Sequence, residues 1–300
     1  MFPGFLGPES RSTFSAFSAG LVERLSVGNK LSPDASYPFI PTMFPHQPLS
    51  SLEAAKEYAQ VFYDILQCHH NYPKILHCDI SQGNVMVREI NGVDHGVLDD
   101  WDLATLVDKL SPGPASQFRT GTKPYMAHEQ QDVDWKGPPR YRHDLESVFY
   151  MITLFAFLYS SPSEKISEPL DQDYHFEKWH QEDDATLGTI KFKLIGTSIW
   201  DPPSTDFSIG FKQWLTRFHI CFYRGFQNQN NFRLDQIRDP MLEIWSKPQP
   251  QPQIQQMQSF NEETLGGFIT VEYIVLIMHE FGGEELDTRG AEWQGLLRVS

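Results

Sequence analysis

Apolar residues recur at helical spacing through Leu52, Ala55, Tyr58, Ala59, Phe62, Ile65 and Leu66, which predicts a helix over 51–69. Ser50 and Glu53 just ahead of it have the S-x-x-E form of a capping box. The pattern then shortens. Apolar runs at 75–76, 85–87 and 97–98, with Asn91-Gly92 between the last two, predict small strands around a hairpin. A Gly- and Pro-rich stretch of about 40 residues follows, a length that in a compact domain marks either function or disorder. Residues 148–158 are apolar almost all round, so their helix belongs at the centre of the domain. The stretch 179–195 is polar and mixed. Phe211, Trp214, Leu215, Phe218, Phe222 and Tyr223 restore helical spacing over 207–226 and predict a second core-facing helix. Residues 271–278 are apolar, short and flanked by acids.

Proline sets the outer boundaries. Pro3, Pro8, Pro33, Pro38, Pro41, Pro45 and Pro48 punctuate the first 50 residues, which read as irregular wrapping. The run KPQPQPQIQQMQ reads as an extended linker. The expected organisation is an irregular segment 1–50, a mainly helical α+β domain over 51–245, a Pro/Gln linker 246–258 and a tail 259–300 without a motif. Glu262, Glu263, Glu284, Glu285 and Asp287 in that tail read as a solvated surface.

The chain has 300 residues, 40% apolar and 13% aromatic, which suits a packed core rather than a disordered chain. Its 24 Lys+Arg against 39 Asp+Glu leave a net charge of −15, the wrong sign for a broad phosphate- or lipid-binding field. Neither nucleic acid nor a membrane is expected as a partner, and the longest apolar run, 148–159, is too short to span a bilayer. Three cysteines, Cys68, Cys78 and Cys221, cannot form a disulfide framework, so an intracellular setting, cytoplasmic or nuclear, is expected.

Candidate chemistry concentrates in His77-Cys78-Asp79-Ile80-Ser81-Gln82-Gly83-Asn84 and Asp99-Asp100-Trp101-Asp102-Leu103-Ala104. If the chain reverses at residues 91–93, Asn84 falls opposite 99–101, so one hairpin brings an amide and a carboxylate together. With Asp79 a few residues upstream, these hard oxygen donors could hold Mg²⁺ and place a hydroxyl beside it, as phosphoryl transfer requires. Cys68-His69-His70 and His77-Cys78-Asp79 also offer nitrogen and sulfur donors, but their spacing fits no paired zinc motif.

The two blocks resemble the kinase pattern H-R-D-x-x-x-x-N followed by D-F-G. Gly121-Thr122-Lys123-Pro124-Tyr125-Met126-Ala127-His128-Glu129 is similar to the G-T-x-x-Y-M-A-P-E end of a kinase activation segment. Arg142-His143-Asp144-Leu145-Glu146-Ser147 resembles the start of the central helix in casein-kinase-one-like enzymes. The combination is most similar to the fungal-type protein kinase family, over about residues 45–245. The resemblance implies a kinase-like C-lobe with small β-hairpins, ATP and Mg²⁺ as cofactors, and a protein substrate or binding partner. It implies Asp79 as the residue that orients the substrate hydroxyl, and Asn84 and Asp100 as Mg²⁺ ligands. His77 would pack behind the catalytic loop, Asp144 would hold that loop's backbone, and Thr122 would face the substrate-binding loop. Glu129 would pair with an arginine lower in the lobe, with Arg217, Arg224 and Arg233 as candidates.

Departures from the pattern matter equally. Cys78 replaces the Arg that receives an activation-segment phosphate. Ser81 stands where Ser/Thr kinases carry Lys, Asp102 takes the Gly of D-F-G, and His128 replaces Pro. A five-stranded N-lobe with one helix needs about 65 residues. Only 50 precede the first predicted helix, with Lys30 as their single Lys and no Gly-rich loop. An absent or strongly truncated N-lobe is therefore expected. Three readings follow: an ATP- and Mg²⁺-dependent kinase acting on protein Ser/Thr hydroxyls, a pseudokinase-like binding module, and a small-molecule kinase. The first reading leads, and missing the phosphate-clamping Lys makes the second a serious rival, since electrostatic positioning supplies most of this catalysis.

Overall fold

The computed structural model describes residues 47–70, 75–90, 92–107, 121–168, 170, 173–245 and 259–289, with backbone alone for 237–245. The segment up to residue 46, with Lys30 and the expected loss of the N-lobe, lies outside the described residues. So do Asn91 and the Pro/Gln linker 246–258.

Helix α1 (Ala55–His70) forms on the predicted apolar stripe, with Tyr58, Phe62, Ile65 and Leu66 buried. It starts four residues later than 51, because Leu49–Ser51 closes a 3-10 turn instead. The Ser50/Glu53 capping box is not the device used. Glu57 Oε2 accepts the N–H groups of Glu53 at 2.8 Å and Ala54 at 3.0 Å, satisfying donors that the first turn would leave orphaned.

A hairpin of β3 (Val85–Ile90) and β4 (Val93–Leu98) follows, and β1 (Gln47–Pro48) pairs with the other edge of β3, all antiparallel. Its register runs from Ile90 opposite Val93 to Val85 opposite Leu98. Gly92 takes φ +76° in the turn, the left-handed conformation that favours glycine. Gly96 on β4 lies directly on α1: a Cβ there would sit 2.3 Å from the Val61 carbonyl oxygen. The buried Asp64 carboxylate on α1 also accepts the Gly96 N–H at 2.9 Å. Strands β2 (Ile75–Leu76) and β5 (Thr105–Leu106) form a second antiparallel pair.

Helix α3 (Tyr141–Leu158) is the axis of the fold, with every residue from Arg142 to Phe157 buried. Its aromatic rings reach both neighbours. Phe155 contacts Tyr58 and Phe62 on α1, while Phe149 contacts Phe218 and Phe222 on α5 (Lys212–Trp245). That second core-facing helix continues well past the predicted end at 226. Between them, β6 (Tyr159–Ser161) and β7 (Glu164–Lys165) form a hairpin. The mixed stretch then yields α4 (Asp184–Gly196), whose N-cap Asp183 accepts Thr186 N–H at 3.0 Å. A short helix, α2 (His128–Gln131), lies between β5 and α3 in the chain.

The region 259–289 is packed onto this body. It contains α6 (Val271–Met278), capped by Thr270, and a hairpin of β8 (Glu280–Phe281) and β9 (Glu284–Glu285). Trp214 Nε1 donates to Glu280 O at 2.6 Å, Gln60 exchanges two hydrogen bonds with the Asp287 backbone, and Arg289 meets Asp64 at 3.2 Å. Of the five acids expected to be solvated, Glu263, Glu284, Glu285 and Asp287 are exposed, with Glu263 paired to Arg140 and Glu284 to Lys56, while Glu262 is half-buried and accepts from Gln229 at 2.6 Å. The result is a mixed α+β architecture. Among the described residues no helix is long and apolar enough to cross a membrane.

Candidate functional site

The loop between β2 and β3 is fixed from below. The buried Asp144 carboxylate accepts His77 N–H at 2.7 Å on Oδ2 and Cys78 N–H at 3.1 Å on Oδ1. His69 Nε2 meets the same Oδ2 at 2.9 Å, and its Nδ1 lies 2.6 Å from the Tyr141 hydroxyl. Burial raises the Asp144 carboxyl, but the hydrogen bond and charge of His69 and the contacts with His77 more than offset it and hold it below the usual range.

Burial lowers the pKa of His77 despite the nearby Asp144 carboxylate, which favours the neutral ring. Its Nδ1 accepts Asp79 N–H at 3.3 Å, so the ring proton sits on Nε2, which donates to Asp99 O at 2.9 Å. The Trp101 ring packs edge-on against it at 4.6 Å. Burial also pushes the Cys78 thiol well above its ordinary range, which disfavours the thiolate.

Three site residues form one hydrogen-bonded unit. Asp79 Oδ1 accepts Thr122 N–H at 2.6 Å and Thr122 Oγ1–H at 2.8 Å. Asp79 Oδ2 accepts Asn84 Nδ2 at 3.1 Å, and the same amide donates to Asp79 O at 2.8 Å. Gly121 makes the approach possible: its φ is +127° and a Cβ there would lie 2.8 Å from Cys78 O.

Asp100 is placed differently. Asp99 N–H donates to Asn84 O at 2.8 Å, so the hairpin end sets Asn84 opposite Asp99, with Asp100 the next residue. Asp100 is exposed, and among the described residues its carboxylate has no recorded partner. Cys78 at φ 65° and Asp100 at φ 56° hold left-handed backbone on either side of the unit. Such non-glycine conformations cost about 1–3 kcal/mol and persist only where surrounding contacts enforce them.

Donor chemistry here suits Mg²⁺. Both amide hydrogen bonds of Asn84 go to Asp79, which turns its carbonyl oxygen away from Asp79, and among the described residues the Asp100 carboxylate is unpartnered. Both are hard oxygen donors. No three His, Cys, Asp or Glu side chains gather as a metal-binding group among the described residues, and His69 is committed to Tyr141 and Asp144.

Glu129 pairs with none of the expected arginines. Its Oε2 takes Arg142 Nη2 at 2.5 Å and His143 Nε2 at 3.1 Å, while Arg233 lies 4.0 Å from Glu262. Arg142 is buried on the first turn of α3, two residues before Asp144, so one helix end anchors both the loop and this acid. Burial would raise the Glu129 carboxyl, yet His143 and Arg142 hold it far below its usual range.

His128 has its own buried partner. Glu146 Oε1 accepts His128 N–H at 2.8 Å and the Tyr150 hydroxyl at 2.7 Å, and meets His128 Nδ1 at 2.9 Å. The sequence marks His128 as a departure without showing this partner; the available signal is Glu146, an acid two residues before the run 148–158 that is apolar almost all round.

Residues 45–156 match the family model of the fungal protein kinases. The match spans all four sequence blocks, from the 77–84 loop to the 142–147 helix start, and ends within α3. No curated protein matches the chain.

Proposed function

We propose that this chain transfers a phosphoryl group from Mg·ATP to a Ser or Thr hydroxyl of a protein substrate. The observation that supports this most is the fixed carboxylate of Asp79, held by Thr122 on one oxygen and Asn84 on the other. An acceptor hydroxyl donating to the remaining lone pair on Asp79 Oδ2 would be oriented and its proton drawn toward that atom. Asn84 Oδ1 and the Asp100 carboxylate would hold Mg²⁺. When bound, the ion neutralises charge on the phosphates and ATP supplies the phosphoryl group. Asp144 contributes at one remove, keeping the backbone of residues 77–78 from drifting and so keeping Asp79 on its target. The segment 121–129, similar to a kinase peptide platform, favours a protein acceptor over a small alcohol.

A second reading, a binding module without turnover, draws on Ser81. Ser81 supplies no cation at the position where Ser/Thr kinases carry Lys, and among the described residues no Lys or Arg is hydrogen-bonded or ion-paired to Asp79.

Labelled ATP with Mg²⁺, offered a generic basic protein and several small alcohols, separates the readings by which acceptor is labelled. Asp79→Asn should lower turnover about 10²–10⁴-fold with little change in melting temperature. Mg·ATP should raise the melting temperature of the parent, and Asp100→Asn should abolish that rise. No labelled product and no rise at millimolar nucleotide leaves the binding module as the reading.

A further inference from the structure

Helix α4 buries a stripe of Leu187, Gly188, Lys191, Leu194 and Ile195, so a lysine occupies the centre of an apolar face. Lys191 is 0% exposed. Its stem and ammonium lie beside the Tyr150 and Trp179 rings, with Nζ 4.6 Å and 5.3 Å from their centroids. A buried ammonium is costly unless its protons are used. Here Nζ donates to Met126 O at 2.6 Å and to Lys123 O at 3.2 Å. Burial lowers the pKa of this amine, while Glu146 and Asp184 act in the opposite direction.

Those two carbonyls belong to a single turn. Tyr125 N–H and Met126 N–H both return to Thr122 O, at 2.9 Å and 3.3 Å. Thr122 opens that turn and spends both its backbone N–H and its hydroxyl on Asp79 Oδ1. Lys191 therefore grips one end of a five-residue turn whose other end aims the Asp79 carboxylate. Gln131 Nε2 shares the load at Lys123 O, at 2.9 Å, but Met126 O has Lys191 as its recorded side-chain donor.

We propose that Lys191 is a positioning residue for the phosphoryl-transfer site, clamping the 122–126 turn so that Thr122 holds Asp79 in register. The proposal rests on the kinase reading above and adds a residue distant from it in sequence. It predicts a separation that ordinary packing would not produce. Removing the amine leaves Met126 O without its side-chain donor, so a loss of stability is expected of any such buried lysine, whereas faster exchange confined to the turn together with a lower kcat is not.

The test compares the parent with Lys191→Met, and with Lys191→Leu should the first not fold, by thermal melting, amide hydrogen exchange and steady-state kinetics on the whole chain. The expected result is a folded variant with exchange at Tyr125 and Met126 at least 10-fold faster, beyond any change at amides elsewhere, and kcat at least 10-fold lower with KM for Mg·ATP unchanged. A folded variant with parent-like exchange at those two amides, or with faster exchange and unaltered turnover, overturns the proposal. Failure of both variants to fold would assign Lys191 to stability alone and also overturn it. A parent without turnover would instead sink the kinase reading, while the exchange comparison would still decide whether the clamp exists.

Discussion

Asp144 and His77 are joined by a single 2.7 Å hydrogen bond from backbone nitrogen to buried carboxylate, linking the central helix to the loop that carries Asp79. The same carboxylate serves Cys78 and His69, so its loss would strand two buried backbone donors and one ring nitrogen at once. Asp144→Ala should therefore destabilise the fold by about 3–5 kcal/mol. Urea unfolding of the two proteins measures this. A loss under about 1 kcal/mol would show that water or a shifted loop replaces the carboxylate.

The Glu129–Arg142 pair is nearly dry on the arginine side, with the Arg142 side chain 1% exposed. Removing one partner should cost about 3 kcal/mol, because the other charge is left buried. Arg142→Met alone should show that loss. The double variant Arg142→Met with Glu129→Gln should recover part of it, and a double-mutant cycle in denaturant reads the coupling directly. Simple addition of the two single effects would mean that the groups act independently.

Two buried acids should give stability an asymmetric response to pH. Burial would raise the Glu146 carboxyl, but the nearby His128 and its hydrogen bonds hold it at about 2, against an ordinary value of 4.5. Its contribution is complete above pH 4.5 and is lost as pH falls toward 2. Asp64 behaves in reverse: burial pushes its carboxyl up to about 6 from 3.8, outweighing the bonds from Gly96, Gln60 and Arg289. The folded state then binds the extra proton between those values, so this group adds stability as pH falls from 6 toward 4, by about 3 kcal/mol in all. Asp64→Asn should flatten the pH 4–6 slope of denaturant midpoints and leave the acid limb intact. An unaltered slope would mean that another group titrates there.

Gly96 is demanded by a close approach rather than by an unusual backbone angle. An added Cβ would fall 2.3 Å from the Val61 carbonyl oxygen and 2.9 Å from Val61 Cα, and neither is a flexible side-chain tip that could swing aside. Gly96→Ala should cost about 3 kcal/mol as α1 and β4 are forced apart. A thermal melt within about 1 °C of the parent would show that the helix moves freely on the hairpin.

Local pattern carried much of the fold. The 3.6-residue apolar period placed α1 to within a turn of its true start, and the 148–158 run marked the central helix, where every residue from Arg142 to Phe157 is buried. Asn91-Gly92 placed the chain reversal and thereby the register that sets Asn84 opposite Asp99. The family's letter pattern singled out residues 77–84 and 121–129, which meet through Asp79 and Thr122.

What the letters did not contain was the identity of long-range partners. Three arginines on α5 were equally eligible for Glu129, and the choice of Arg142 depended on which side chain the packed helix end carried toward it. Lys191 lies in a stretch whose letters are polar and mixed, and only the packing of α4 puts it between Tyr150, Trp179 and the 122–126 turn. The tail 259–289 had no motif, yet it closes over α1 and α5 through Arg289, Gln60 and Trp214. Periodicity and turn chemistry are properties of neighbouring residues, so the sequence alone determined the elements and the reversals between them. Pairing across many residues is settled only when whole faces pack and each buried polar group must find a donor or acceptor, so the tertiary structure decided which charges meet.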